Sequence, residues 1–175
     1  MKRLVDFYLQ HLDCTNRRSW KKWPFHKVYN QYTEKNGDVD CVDKWRKCIN
    51  EYISHLSPDT DFTTLHCEIS KLAQTVYGIG PLHIYDTAIC FRYPTVVYLH
   101  SGTKIAANAM GIYGHTAEKS KITAKYPELE ILTPLQLEDF LCICKDVFIG
   151  NKTSQAQLTE LQQSRGCCIE RKSCY

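Results

Sequence analysis

The stretch "YGIGPLHIYDTA", Tyr77 to Ala88, sets two glycines around an isoleucine and follows them with a proline. Glycine permits positive φ and close backbone approach. Pro81 suits the first position of a helix, because its missing N–H would have had no intrahelical partner. The stretch therefore reads as a tight corner that leads into a helix carrying Ile84, Ala88, Ile89 and Phe91. Upstream, a helix begins near Thr60 with Phe62, Leu65, Ile69, Leu72 and Val76 on one face and Cys67 near its edge, and runs directly into Tyr77-Gly78. A helix-to-helix corner at Gly78–Gly80 sets the expectation for the whole chain.

Working outward, Val42, Trp45, Ile49, Tyr52, Ile53 and Leu56 recur at helical spacing, with Asp38 or Asp40 as cap and Ser57-Pro58 as the stop. Leu4, Phe7, Tyr8 and Leu12 predict a short amphipathic helix ending near Asp13. Between them "CTNRRSWKKWPFHKVYNQYTEKNGD" lacks a sustained period and reads mostly as loop. Downstream, "RYPTVVYLHSG" is a short strand or an extended connector, and Ser101 or Thr103 starts a helix through Ile105, Ala106, Ala109 and Met110 that Gly111 closes. "YGHTAEKSKITAKYPELE" reads as a polar surface loop. The strongest helix start is "LTPLQL": Thr133 as cap, Pro134 at the first position, Gln136 reaching back, and Leu132 against Leu137. Its stripe of Leu137, Phe140, Leu141, Cys144, Val147 and Phe148 ends at Gly150. The fold class is all-α, a single-domain helical bundle over residues 1–150, followed by a polar, loose tail over 151–175 with at most a turn around Leu158–Leu161.

At 175 residues the chain can bury roughly 70% of its unfolded surface without staples. A composition of 43% hydrophobic and 23% charged residues is ordinary, and no apolar run reaches the roughly 20 residues of a membrane-spanning helix. Lys2 and Arg3 open like a signal peptide, but Asp6, Gln10 and His11 interrupt any apolar stretch, so a cytoplasmic location is expected. The ten cysteines read as thiols rather than a disulfide framework, since Cys48, Cys67, Cys90 and Cys144 fall in helix patterns. The net charge is only +3, yet seven Lys or Arg stand against Asp6 and Asp13 between Met1 and Lys27. The positive charge is concentrated at one end.

Helix, G-apolar-G, helix is the pattern of a helix-hairpin-helix element. Together with "VVYLHSGTKIAANAMGI" downstream, it resembles the helix-hairpin-helix DNA glycosylase-like superfamily over residues 60–112. Met110-Gly111-Ile112 matches the apolar-Gly-apolar ending of that family's later helix. The resemblance implies a hairpin whose backbone N–H groups hold a DNA phosphate without reading a base. It does not carry the family's chemistry across. Leu82 stands where bifunctional members place a nucleophilic Lys, no carboxylate lies between Asp86 and Glu118, and Cys167, Cys168 and Cys174 lack the spacing of an iron-sulfur site.

The candidate backbone contacts are Gly78, Ile79, Gly80, Leu82 and His83 in the hairpin and Thr103 and Lys104 downstream. The basic segment "NRRSWKKWPFHK" adds Arg17, Arg18, Lys21 and Lys22, with Trp20 or Trp23 either stacking on a base or packing a loop onto the helices. No catalytic residue, metal site or cofactor is assigned: the paired cysteine knuckles of structural zinc sites are missing, as is the G-x-x-x-x-G-K-[ST] phosphate loop. The leading reading is a non-catalytic, sequence-independent binder of a nucleic-acid backbone, with DNA as the partner. One alternative is a diverged glycosylase-like enzyme that has moved its acid or base to Asp86 or His100. The other is a structural or protein-interaction module in which the turn is only a corner.

Overall fold

A computed structural model describes residues 1–23 and 40–164, and helix dominates them. Pro24, Asn36-Gly37, Asp38 and the cysteines at 167, 168 and 174 lie outside the described residues. The chain divides into two compact units, Arg18–Pro94 and a discontinuous one of Met1–Arg17 with Thr95–Tyr175.

In the unit Arg18–Pro94, α2 (Asp40–Ile53) turns Trp45 and Ile49 fully inward. The next helix, α3 (Phe62–Ala73), starts at Asp61 rather than Thr60, because the Asp61 carboxylate accepts the Thr64 N–H at 2.7 Å. Phe62, Leu65 and Ile69 are its buried stripe; the helix packs against α4 (Pro81–Ala88), with the Phe62 ring edge-on to Tyr85 at 6.0 Å. Trp45 donates its indole N–H to Thr87 Oγ1 at 3.0 Å, so α2 is keyed to α4 by a buried hydrogen bond. The loop between α2 and α3 is clamped by Arg92, which donates to the carbonyls of Ser57, Pro58 and Thr60.

The other unit is built on α5 (Ser101–Ala109) packed against α7 (Pro134–Ile143) and α8 (Lys145–Phe148). Gly102 makes that approach possible, since a Cβ there would lie 2.9 Å from Cys142 Sγ and 3.2 Å from its carbonyl oxygen. Gly111, at φ +72°, ends α5 as anticipated: its N–H reaches Asn108 O and the Ile112 N–H reaches Ala107 O. The Thr133 cap is reciprocal, with Gln136 N–H on Thr133 Oγ1 and Thr133 N–H on Gln136 Oε1. The helix it starts breaks at Cys144, whose φ of −101° and ψ of 16° separate α7 from α8.

The first helix, α1 (Lys2–Phe7), runs into a π-helical turn, Tyr8–Leu12, closed by Asp13 N–H on Tyr8 O at 2.8 Å. Leu4, Tyr8 and Leu12 are buried with Phe140, Leu141, Leu158 and Leu161. One reading left open is decided here, and two expectations are corrected. A small antiparallel pair exists, β1 (Val97–Tyr98) with β2 (Thr116–Ala117), Val97 opposite Ala117. The supposed surface loop after Gly114 carries β2, α6 (Lys119–Thr123) and a 3-10 turn at Pro127–Leu129, because Ala117, Ile122 and Leu129 are buried. The tail forms α9 (Ser154–Ser164), held by Leu158 and Leu161 in the core.

Candidate nucleic-acid interface

The helix α3 stops at Ala73, four residues short of Tyr77, and a string of turns carries the chain to Gly80. Successive i to i+3 bonds from Gln74, Thr75 and Val76 tighten this segment, and buried Val76 anchors it. Tyr77 stands out from it at 80% exposure. Its carbonyl accepts the Cys41 thiol at 2.9 Å, so the first turn of α2 pins the corner from one side.

The two glycines have different roles. Gly78 has φ +89° and needs to be glycine, the more so because a Cβ would meet Cys41 Sγ at 3.1 Å. Gly80 is extended, at φ −102° and ψ 179°, and serves as the N-cap of α4. Its N–H donates to His83 Nδ1 at 3.1 Å and its carbonyl accepts Ile84 N–H at 3.1 Å. The corner is therefore partly satisfied from within: His83, a proposed phosphate contact, spends one ring nitrogen on Gly80. Pro81 offers no N–H. The N–H groups of exposed Gly78 and half-buried Leu82 have no acceptor among the described residues.

The basic and aromatic segment is placed in the same unit from Arg18 onward. Lys21 is exposed and Arg18 half-buried; the side chains of Arg17 and Lys22 lie outside the described residues. Trp23 is buried, and Trp20 lies against it at 5.2 Å and against Phe91 at 5.6 Å. The Arg46 guanidinium covers both indoles at 5.4 and 5.8 Å and donates to the Trp23 carbonyl. Trp20 also donates its N–H to Asn50 Oδ1 at 2.7 Å. These rings pack a loop onto α2, with Trp23 buried and Trp20 half-buried. Nothing in the sequence marked Arg46, which reaches the tryptophans from another helix.

The downstream candidates belong to the other unit, since the boundary at Pro94–Thr95 cuts the segment 60–112. Lys104 is exposed on α5. Thr103 is corrected: it is fully buried, and its hydroxyl donates to the Glu138 carbonyl at 2.9 Å and lies 3.3 Å from Glu138 Oε1. A group so enclosed has no surface to offer a phosphate. The two residues of the enzyme alternative are also divided, with buried Asp86 in one unit and His100, the N-cap of α5, in the other. Beside Asp86, burial and then the Asp86 charge push the Cys90 thiol up to about 12, with Arg18 and Arg46 opposing. Cys90 stays protonated and unreactive at neutral pH.

Among the described cysteines, Cys142 and Cys144 are buried thiols, Cys41, Cys48 and Cys90 are half-buried thiols and Cys67 is an exposed one, while Cys14 corrects the expectation of thiols throughout by standing in a disulfide. No group of three metal-binding side chains occurs among the described residues, and none of their helices is long and apolar enough to cross a membrane. Comparison with protein-family models, curated proteins and solved structures gave no match.

Proposed function

We propose that the chain is a non-catalytic protein of helix-hairpin-helix type that holds a nucleic-acid backbone, without reading bases, at the corner between α3 and α4. The observation that carries this reading is the pair of unspent N–H groups on Gly78 and Leu82, at an exposed turn before an eight-residue helix. Exposed Lys21 and half-buried Arg18 belong to the same unit and supply positive charge. A phosphate at such a site gains from the N–H donors and from the positive end of the helix dipole. DNA is the partner that the resemblance to the glycosylase-like superfamily favours.

Gly80 makes the test clean. Its backbone is extended, and a Cβ there would meet only His83 Nδ1 at an ordinary 3.8 Å. Gly80→Val should fold with unchanged helicity while covering the approach to the Leu82 N–H. In anisotropy titrations, the unaltered protein should bind unrelated duplexes equally, and its affinity should fall about tenfold or more between low and physiological salt. Gly80→Val should lose most of that binding. Undiminished binding by the folded variant, or none by the unaltered protein at low salt, overturns the proposal.

A second reading, an interaction module without nucleic acid, is favoured by the enclosure of Trp20 and Trp23. It predicts flat titrations at every salt concentration.

A further inference from the structure

A second concave site lies in the unit Arg18–Pro94, at the C-terminal end of α2. It is a cleft of about 600 Å³, within the size range of small-molecule sites. Tyr52, Leu56, Leu72 and Cys48 form its walls, with Glu51 and His55 at the rim. Burial and the Glu51 charge push the Cys48 thiol up, so the sulfur lines the cleft as a neutral, apolar group. Burial, then Glu68, raises the Tyr52 phenol against the opposing Lys71, and its ring stays neutral.

The wall opposite the helix is preformed. Arg92 holds the carbonyls of Ser57 and Thr60, two residues that border the cleft, so the loop keeps its shape without a ligand. The Arg92 guanidinium does not itself line the space; its Nε and NH2 groups are directed at the loop carbonyls.

The electrostatics select a charge sign. Glu51 is the one carboxylate or ammonium-type group among the lining residues, and the last turn of α2 holds no basic residue to balance the negative end of its dipole. Lys71, near Tyr52, is already paired with Glu68 at 2.8 Å. We propose that the cleft binds a small organic ammonium ion, its charge against the Glu51 carboxylate, its apolar body against Tyr52, Leu56 and Leu72. An aromatic face beside the charged nitrogen adds cation–π attraction.

The test uses the full chain and phenethylammonium as probe, with 2-phenylethanol and 3-phenylpropionate as neutral and anionic counterparts. In amide-resolved NMR titrations, the ammonium probe should give saturable shifts centred on Cys48, Leu56 and Leu72. The neutral and anionic probes should bind at least several-fold more weakly. Glu51→Gln, at an exposed position, should leave the fold intact and weaken the ammonium probe by roughly fivefold. Equal binding of all three probes, shifts that map elsewhere, or a Glu51→Gln protein that binds the ammonium unchanged each overturns the assignment.

Discussion

At single residues the fold makes sharply different demands on chemically identical side chains. Gly78→Ala places an L residue at φ +89° against Cys41, and should cost about 1–2 kcal/mol of stability in urea denaturation. Gly102→Ala drives a methyl into Cys142 at the α5–α7 contact and should cost about 1–3 kcal/mol. Gly80→Ala, with only an ordinary contact to His83 Nδ1 at 3.8 Å and an extended backbone, should change the midpoint little. Asp61 illustrates a pH effect of definite sign. Hydrogen bonds from Thr64 hold its carboxyl below the usual carboxylate value, so the folded state binds that proton less readily than the unfolded chain. Its contribution is present above the ordinary carboxylate range and is lost as pH falls through the folded value. Asp61→Asn keeps the cap but removes this titration, so its stability should fall less steeply between about pH 5 and pH 2. Thiol alkylation should rank the cysteines by access: Cys67 first, with Cys90, Cys142 and Cys144 protected until the protein unfolds.

At the scale of elements, the features legible in advance were those made by neighbours in sequence. Thr133, Pro134 and Gln136 lie within four residues, and their reciprocal cap is a local bargain that periodicity and residue type reveal. Thr133→Ala should remove it for about 1 kcal/mol. The corner at Gly78–Pro81 was legible for the same reason. The elements that were missed have too few apolar residues to announce themselves: α6 offers Ile122, and α9 offers Leu158 and Leu161. Short helices of this kind form because tertiary burial supports them, not because their sequences are strongly helical. Leu161→Ala should therefore cost about 2–4 kcal/mol and melt α9 as a whole, visible as lost amide protection across Ser154–Ser164. The candidate site was hardest to anticipate where partners arrive from afar. Cys41 reaches Tyr77 and Arg46 reaches Trp23 across 36 and 23 residues, and Glu138 encloses Thr103 across 35.

At the scale of the whole molecule, the division into a continuous and a discontinuous unit has physical consequences. The segment 18–94 contains Trp45, Ile49, Phe62, Leu65, Ile69 and Tyr85, a core of its own. Expressed alone, it should keep helical circular dichroism and show a cooperative thermal transition. The segment 95–175 lacks α1, whose Leu4, Val5 and Tyr8 complete its core, and should unfold well below the intact chain unless a peptide of residues 1–17 is added. Tyr8 also donates to Asp139 Oδ2 at 3.0 Å across 131 positions of sequence. That separation bears on how the protein is made. During synthesis α1 is made well ahead of the residues that bury it, Phe140 and Leu158 among them, which are added more than a hundred steps later. The Arg18–Pro94 unit, continuous in sequence, can finish folding in that interval. Closure of the second unit must then wait until Leu158 and Leu161 have been made, so α1 is packed long after it is synthesised.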